Sequence, residues 1–464
     1  MTLPAGLCMS RCAQHNIRPF HAIFKPMSQS APKATLSLFE AIAATAGIVI
    51  GVGIFRFPSI VAGALENAPA ILAAWIAGGV ISLIGALCYA ELTTAFPSPG
   101  GEYHFLSRAF GRHIAFLFAW ARASVIQTGS IALLAFVLGD YLASLAPFGP
   151  YASPVFAAAA VIVLTSLNIM GVRQAAGFQK AIFILALSGL AALCAAGLSA
   201  VPAPPTLDLA PTPGIGAIGM AMILVLLTYG GWNEAAYISA EVRDGPRNMA
   251  RALLLSICVV TLCYVAINAI YLHVLGVDGV ASSQAVAGDV MRTVLGEPGA
   301  IAISILVIIV VLTSLNVTIF TGARSNFALG RDFPLFRFLG RWNERSGAPV
   351  TGLIVQGAIA LFLVGLGTFT RGGVQTAVDY LSPVFWFFFL MTGIALFVLR
   401  IREKEAPRPF RVPLYPLTPF LFCLSAGAML YSSLSFTGIG ASAGLALLAL
   451  GLPFLFFVPL KATR

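Results

Sequence analysis

Two stretches of this chain carry residues that could do chemistry: Ile50-Gly51-Val52-Gly53-Ile54-Phe55 and Thr228-Tyr229-Gly230-Gly231-Trp232-Asn233. Each places two glycines within an otherwise apolar run, where they weaken a helix. A helix that unwinds in apolar surroundings leaves backbone N–H and C=O groups without partners. Those are the groups that bind the carboxylate and the ammonium of a zwitterion. The chemistry is recognition without bond making. The competing use of such glycines is close packing of small residues on a neighbouring helix.

Glu234 follows the second break, and an acid there is costly in lipid unless it faces a cavity or a partner. It could favour cationic ligands, carry a proton, or pair with a base such as Arg122. Enzymatic chemistry finds no support. His15, His21, His104, His113 and His273 are scattered, and no Walker A loop, H-E-x-x-H pair or Rossmann fingerprint occurs. The seven cysteines lie before the first apolar run or inside apolar runs, without repeated C-x₂-C spacing. No cofactor is expected.

The elements that must position the breaks are legible from composition. The chain is 59% hydrophobic and 9% charged, with a mean hydropathy of +0.93, far from the balance of a soluble domain. Twelve apolar stretches are each long enough to cross a hydrocarbon core of roughly 30 Å as a helix: 39–64, 70–96, 113–144, 153–170, 177–200, 214–240, 252–275, 299–328, 350–368, 375–400, 416–434 and 440–459. They are unbroken rather than alternating, which excludes a β-barrel. The fold class expected is an all-α integral membrane protein.

The formal charge of +10 follows membrane orientation rather than nucleic acid. Bases crowd alternate loops, from Arg108 and Arg112 through Arg243, Arg247 and Arg251 to the group from Arg400 to Arg411. An even number of spans in the inner membrane with both termini cytoplasmic is expected. Residues 1–34 read as a disordered cytoplasmic lead without signal-peptide character. Residues 35–400 read as a core of ten helices, and 401–464 as two peripheral helices and a cytoplasmic C-terminus.

The breaks fall in the first and sixth spans, so each opens a block of five. A five-span repeat inverts its second copy across the membrane, and interruptions at matching positions of two halves point to a transporter binding site. A channel would need a polar ring from several helices; a channel or non-transporting sensor is the alternative class.

In order and spacing, these motifs resemble the amino acid/polyamine/organocation superfamily, and within it the L-type amino acid transporter group. The resemblance spans roughly residues 36–400 and rests on the two glycine motifs, Pro97-Ser98-Pro99-Gly100-Gly101-Glu102-Tyr103, Phe110-Gly111, Glu241 and Arg247-Asn248. It implies a LeuT-like fold, a 5+5 inverted repeat with two additional helices, and alternating access. It places the substrate carboxylate on the N–H groups of Val52, Gly53 and Ile54, and the ammonium on the carbonyls of Val49, Leu227 and Gly230. Gln127, Ser130, Trp232, Asn233 and Glu234 become candidates for side-chain selectivity, although Trp232 also reads as a packed aromatic and loop 97–103 as a helix stop.

The same resemblance implies an outer gate between Arg56 and Asp379. It also implies Na⁺ as a possible coupling ion. Many relatives place a lysine on helix 5 where this chain has Ala186, whereas Leu312-Thr313-Ser314 supplies two hydroxyls and Gly47, Ile50 and Val310 could add carbonyls. Proton coupling, exchange and export are the other modes. Partners expected are an amino acid and the bilayer. No obligatory partner subunit is evident, because heteromeric relatives use an exterior cysteine after span 3 and residues 146–154 have none.

Overall fold

The structure is a computed structural model describing residues 37–98, 100–171, 176–203, 213–238, 242–243, 245–344, 346–370, 372–436 and 439–457. The expected lead, Glu241 and the end of the chain lie outside the described residues. Helices make up most of the described residues, with an isolated β-bridge between Asn343 and Ala348.

The order is α1 (Leu38–Val49), α2 (Gly53–Leu65), α3 (Ala68–Ala95), α4 (Gly101–Phe110), α5 (Arg112–Ala121), α6 (Gln127–Leu145), α7 (Ala152–Ile169), α8 (Ala176–Leu198), α9 (Ile215–Tyr229), α10 (Ala235–Ile238), α11 (Gly245–Ser282), α12 (Val286–Asp332), α13 (Val350–Thr370), α14 (Gly373–Arg402), α15 (Leu417–Phe436) and α16 (Ile439–Ala449). Among the described residues, nine helical segments are long and apolar enough to cross a membrane. Of the other stretches read as spans, the first is divided into α1 and α2, the fifth is α8, and the twelfth is α16 with a 3₁₀ turn at Pro453–Phe457.

Local chemistry sets several boundaries. Ser37 caps α1 in a reciprocal box with Glu40, and Asn67 caps α3 by accepting from the Ala70 N–H at 2.9 Å. Gly276 (φ 69°) and Gly296 (φ 70°) turn the chain out of helical geometry within α11 and α12. The apolar spans expected over 252–275 and 299–328 therefore stop and start beside these glycines.

Helix α11 packs on α3 and α1, α2 on α9, and α12 on α6 and α8. On the face carrying the basic loops, Glu91, 1% exposed, receives Arg400, Arg408 at 3.4 Å and the Val412 N–H at 2.7 Å. Arg108 pairs bidentately with Glu403 at 2.6 Å. These ties fix α3, α4 and α14 to one another, and so fix the floor beneath the two breaks.

Candidate functional site at two helix breaks

The first span unwinds where its glycines stand. The Gly51 N–H turns back to the Val49 carbonyl at 2.7 Å, so the carbonyl of Gly47 loses the donor that a continuing helix would give it. Gly53 opens α2, and the N–H groups of Val52, Gly53 and Ile54 stand at its start, below which no helical acceptor lies.

Three tyrosines hold the carbonyl groups around this break. The Tyr264 hydroxyl donates to Val49 O at 2.7 Å and to Thr228 O at 3.2 Å, bridging both broken helices. Pro58 lies inside α2 and has no N–H for the Ile54 carbonyl; the Tyr271 hydroxyl reaches that oxygen at 3.5 Å. Tyr141 donates to Phe55 O at 3.0 Å. All three rings are fully buried. They are distant in sequence from the groups they serve, and no sequence periodicity points to them.

The sixth span breaks at Gly230 and Gly231. The Gly230 N–H bonds Leu227 O at 3.1 Å, and Gly231 has φ 108°, a left-handed conformation that glycine adopts without steric cost. A 3₁₀ turn, Trp232–Glu234, follows. Trp232 packs edge-on to Tyr89 at 4.9 Å and near Phe389 at 5.6 Å, the packed-aromatic alternative for this residue. Asn233 is buried and donates to Glu102 Oε1 at 3.3 Å. Of the readings open for Glu234, the structure shows the ion pair: Arg122 grips it with two bonds of 3.0 Å.

Arg122 opens a π-helical turn, Arg122–Ile126, between α5 and α6. Such turns concentrate at functional sites, but nothing in the local composition announces this one. Gln127, the next residue, is buried and spends its amide on Thr318 O at 3.1 Å and Thr321 Oγ1 at 3.0 Å. Ser130 bonds its own helix at Ile126 O, 2.8 Å.

The expected Arg56–Asp379 gate is not formed in this structure. Arg56 donates to Asp140 at 3.2 Å, Ser59 at 2.6 Å and Gln284 at 2.7 Å. Asp379 takes the Gln375 amide of its own helix at 2.9 Å. Arg56 and Asp140 line a cavity of about 610 Å³ with Ser153, Gln284, Thr368 and Gln375. The guanidinium has taken the nearer acid, presented by α6.

For the ion, Thr313 donates to Ile309 O one turn back at 2.9 Å, the ordinary bond of a helical threonine. Its lone pairs stay on the hydroxyl, as do those of Ser314, and hydroxyls with carbonyl oxygens such as those of Gly47, Ile50 and Val310 are the donor type a hard cation takes.

The family model for amino acid permeases matches residues 36–456. This chain belongs to the amino acid permease family. It is 31% identical over 405 residues to the human "b(0,+)-type amino acid transporter 1", covering 84% of this chain and 82% of the relative. It is 29% identical over 441 residues to the mouse "Large neutral amino acids transporter small subunit 2", covering 91% and 81%. The permease is thus a multi-pass membrane protein of a transporting family, not an enzyme, and its L-type resemblance stands.

One expectation is corrected. A relative matched along most of this permease is itself named a small subunit, so the expectation that no partner subunit is evident does not stand. The missing exterior cysteine spoke only against a disulfide link, and subunits also join by packing alone.

Proposed function

We propose that this permease moves neutral amino acids by alternating access, through a site where the breaks of the first and sixth spans meet. The observation that carries this reading is the Tyr264 hydroxyl shared between Val49 O and Thr228 O, which joins the two breaks in one unit. The N–H groups at the start of α2 suit a carboxylate, as helix N-termini do, and Val49, Leu227 and Gly230 offer carbonyl lone pairs to an ammonium. Neutral substrates are favoured because the two bases flanking the breaks are each paired with an acid, Arg122 with Glu234 and Arg56 with Asp140. A relative's name for large neutral amino acids agrees.

Residues 35–400 form the working core in this reading, in an inner membrane with both termini on the cytoplasmic side of the basic loops. Coupling to Na⁺ is supported by the Gly47 carbonyl, freed by the turn at Gly51, and by the hydroxyls of Thr313 and Ser314. The test is uptake of radiolabelled amino acids into proteoliposomes with Na⁺ replaced by choline at fixed pH. Saturable uptake competed by neutral amino acids is expected, reduced in choline and in Thr313→Ala. Uptake indifferent to Na⁺ removes the ion and leaves the transporter. Non-saturable flux, or none for any amino acid, removes the transport reading.

A further inference from the structure

The last helical segment, α16 with the 3₁₀ turn Pro453–Phe457, ends beside the loop that joins α12 to α13, on the face carrying the basic loops. There an apolar groove of about 540 Å³ is lined by His113 of α5 and by Leu452, Pro453, Leu455 and Phe456. Its volume suits a small amphiphile, since ligand sites run to about 300–1,000 Å³. Behind the groove Phe454 packs on Trp120 at 5.7 Å and on Phe336 at 5.3 Å. Phe336 lies in a second 3₁₀ turn, Pro334–Phe336, and this turn carries the wall of the groove into the loop.

That loop has two faces. Phe333, Phe336 and Leu339 are buried with Phe116 of α5, whereas Leu335 and Phe338 are each 46% exposed and Trp342 is 41% exposed. The loop is held firmly: a Cβ built at Gly330 would meet the Gly340 nitrogen at 2.1 Å, so residues 331–339 fold back on the end of α12. Exposed aromatic and aliphatic side chains on a fixed loop at the end of a span suit the interfacial layer of a bilayer. The charges beside them are basic. Arg112 adjoins His113, and its guanidinium lies 6.0 Å from the centre of the Phe333 ring. Arg337 and Arg341 are exposed, and among the described residues neither makes an ion pair. Asp332, one of two acids between residues 331 and 344, faces the Tyr103 phenol instead.

We propose that this groove binds an anionic phospholipid from the leaflet that meets the basic loops, with an acyl chain against Leu452, Leu455 and Phe456 and the headgroup phosphate on Arg337 and Arg341. A lipid satisfies both halves of the site at once. A soluble anion gains nothing from the apolar wall, and a zwitterionic lipid gains little from the bases, whereas an anionic headgroup is drawn to bases at the membrane surface. A lipid seated there touches α5, the loop and the end of the last helix together. It ties segments that are distant in sequence, and so stabilises the folded protein by mass action. The site lies apart from the helix breaks and does not depend on the transport reading.

The test uses the purified full chain in mixed micelles, with lipids whose acyl chains carry bromine to quench nearby tryptophan. Trp75, Trp232 and Trp386 are buried, so quenching reports Trp120, on the wall of the groove, and the exposed Trp342. Dibrominated phosphatidylglycerol should quench at a mole fraction about thirtyfold below that of the phosphatidylcholine with the same chains, two bases contributing about fivefold each. It should also raise the melting temperature where inorganic phosphate does not. The double variant Arg337→Gln with Arg341→Gln should abolish the preference. Lys404→Gln with Arg411→Gln removes two exposed bases from another loop of the same face and should leave the preference intact. All four side chains are exposed, so folding is not at stake. Phe456→Ser should weaken both lipids alike and keep the preference for the anionic headgroup. Equal quenching by the two lipids, an equal loss in the two double variants, binding unmoved by Phe456→Ser, or the same stabilisation by inorganic phosphate alone would each overturn the proposal.

Discussion

Replacing Gly53 by alanine tests whether the two broken helices work as one unit. A Cβ built at Gly53 meets Thr228 of the sixth span, at 2.8 Å from Oγ1, 2.9 Å from Cγ2 and 3.1 Å from the backbone Cα. The methyl crowds the opposite helix break rather than a ligand. Separations that short force the two breaks apart, and overpacking of this kind costs about 1–3 kcal/mol. If that cost falls on the substrate-competent arrangement, affinity drops about 5- to 150-fold at 1.4 kcal/mol per decade. Thr228→Ala removes Oγ1 and Cγ2, the two nearest atoms, and leaves the methyl against the Cα and Cβ of residue 228, so it should restore part of what Gly53→Ala loses. The lost bond from Thr228 to Leu224 O, 2.8 Å, is a minor helical one. The assay is ligand-induced thermal stabilisation of purified protein for both single variants and the double variant, read as a cycle. Additive losses, with no recovery in the double variant, would refute the direct packing of one break against the other.

Two further outcomes follow from the same geometry. Tyr264→Phe leaves the Val49 and Thr228 carbonyls without their shared donor, a loss of about 1–3 kcal/mol, seen as a lower melting temperature and weaker substrate binding in titration calorimetry. Arg56→Ala and Asp140→Ala should each slow uptake to the same degree, the double variant being no worse than either, while Asp379→Asn should not reproduce that rate; equal defects in Arg56→Ala and Asp379→Asn that do not add would return the gate to Asp379.

Much of this site was legible in the chain because its causes are local. Both breaks sit on paired glycines, and the ends of two long spans sit on Gly276 and Gly296, since backbone freedom is a property of the residue itself. Arg122 could be named as a partner for Glu234 because a charge in apolar surroundings must find its opposite. What stayed hidden depends on packing between distant segments. Choosing Asp140 rather than Asp379 for Arg56 requires knowing which helix face lies nearest. The π-helical turn at Arg122 breaks no propensity rule, and Glu102 looked like a turn residue because burial, not spacing, gives it its character.

The tyrosine hydroxyls of Tyr264, Tyr271 and Tyr141 have a consequence for the electrostatic potential at the first break. Each hydroxyl is a donor pointed at a carbonyl, so the Val49, Ile54 and Phe55 oxygens are already engaged. The positive end of the α2 dipole is not offset in this way. The gap in the first span is therefore divided, positive at the N–H groups that open α2 and negative at the Gly47 carbonyl that closes α1. In the proposed transport role, a zwitterion would meet the α2 N–H groups with its acid end, and its amine would compete with the Tyr264 phenol for the Val49 oxygen.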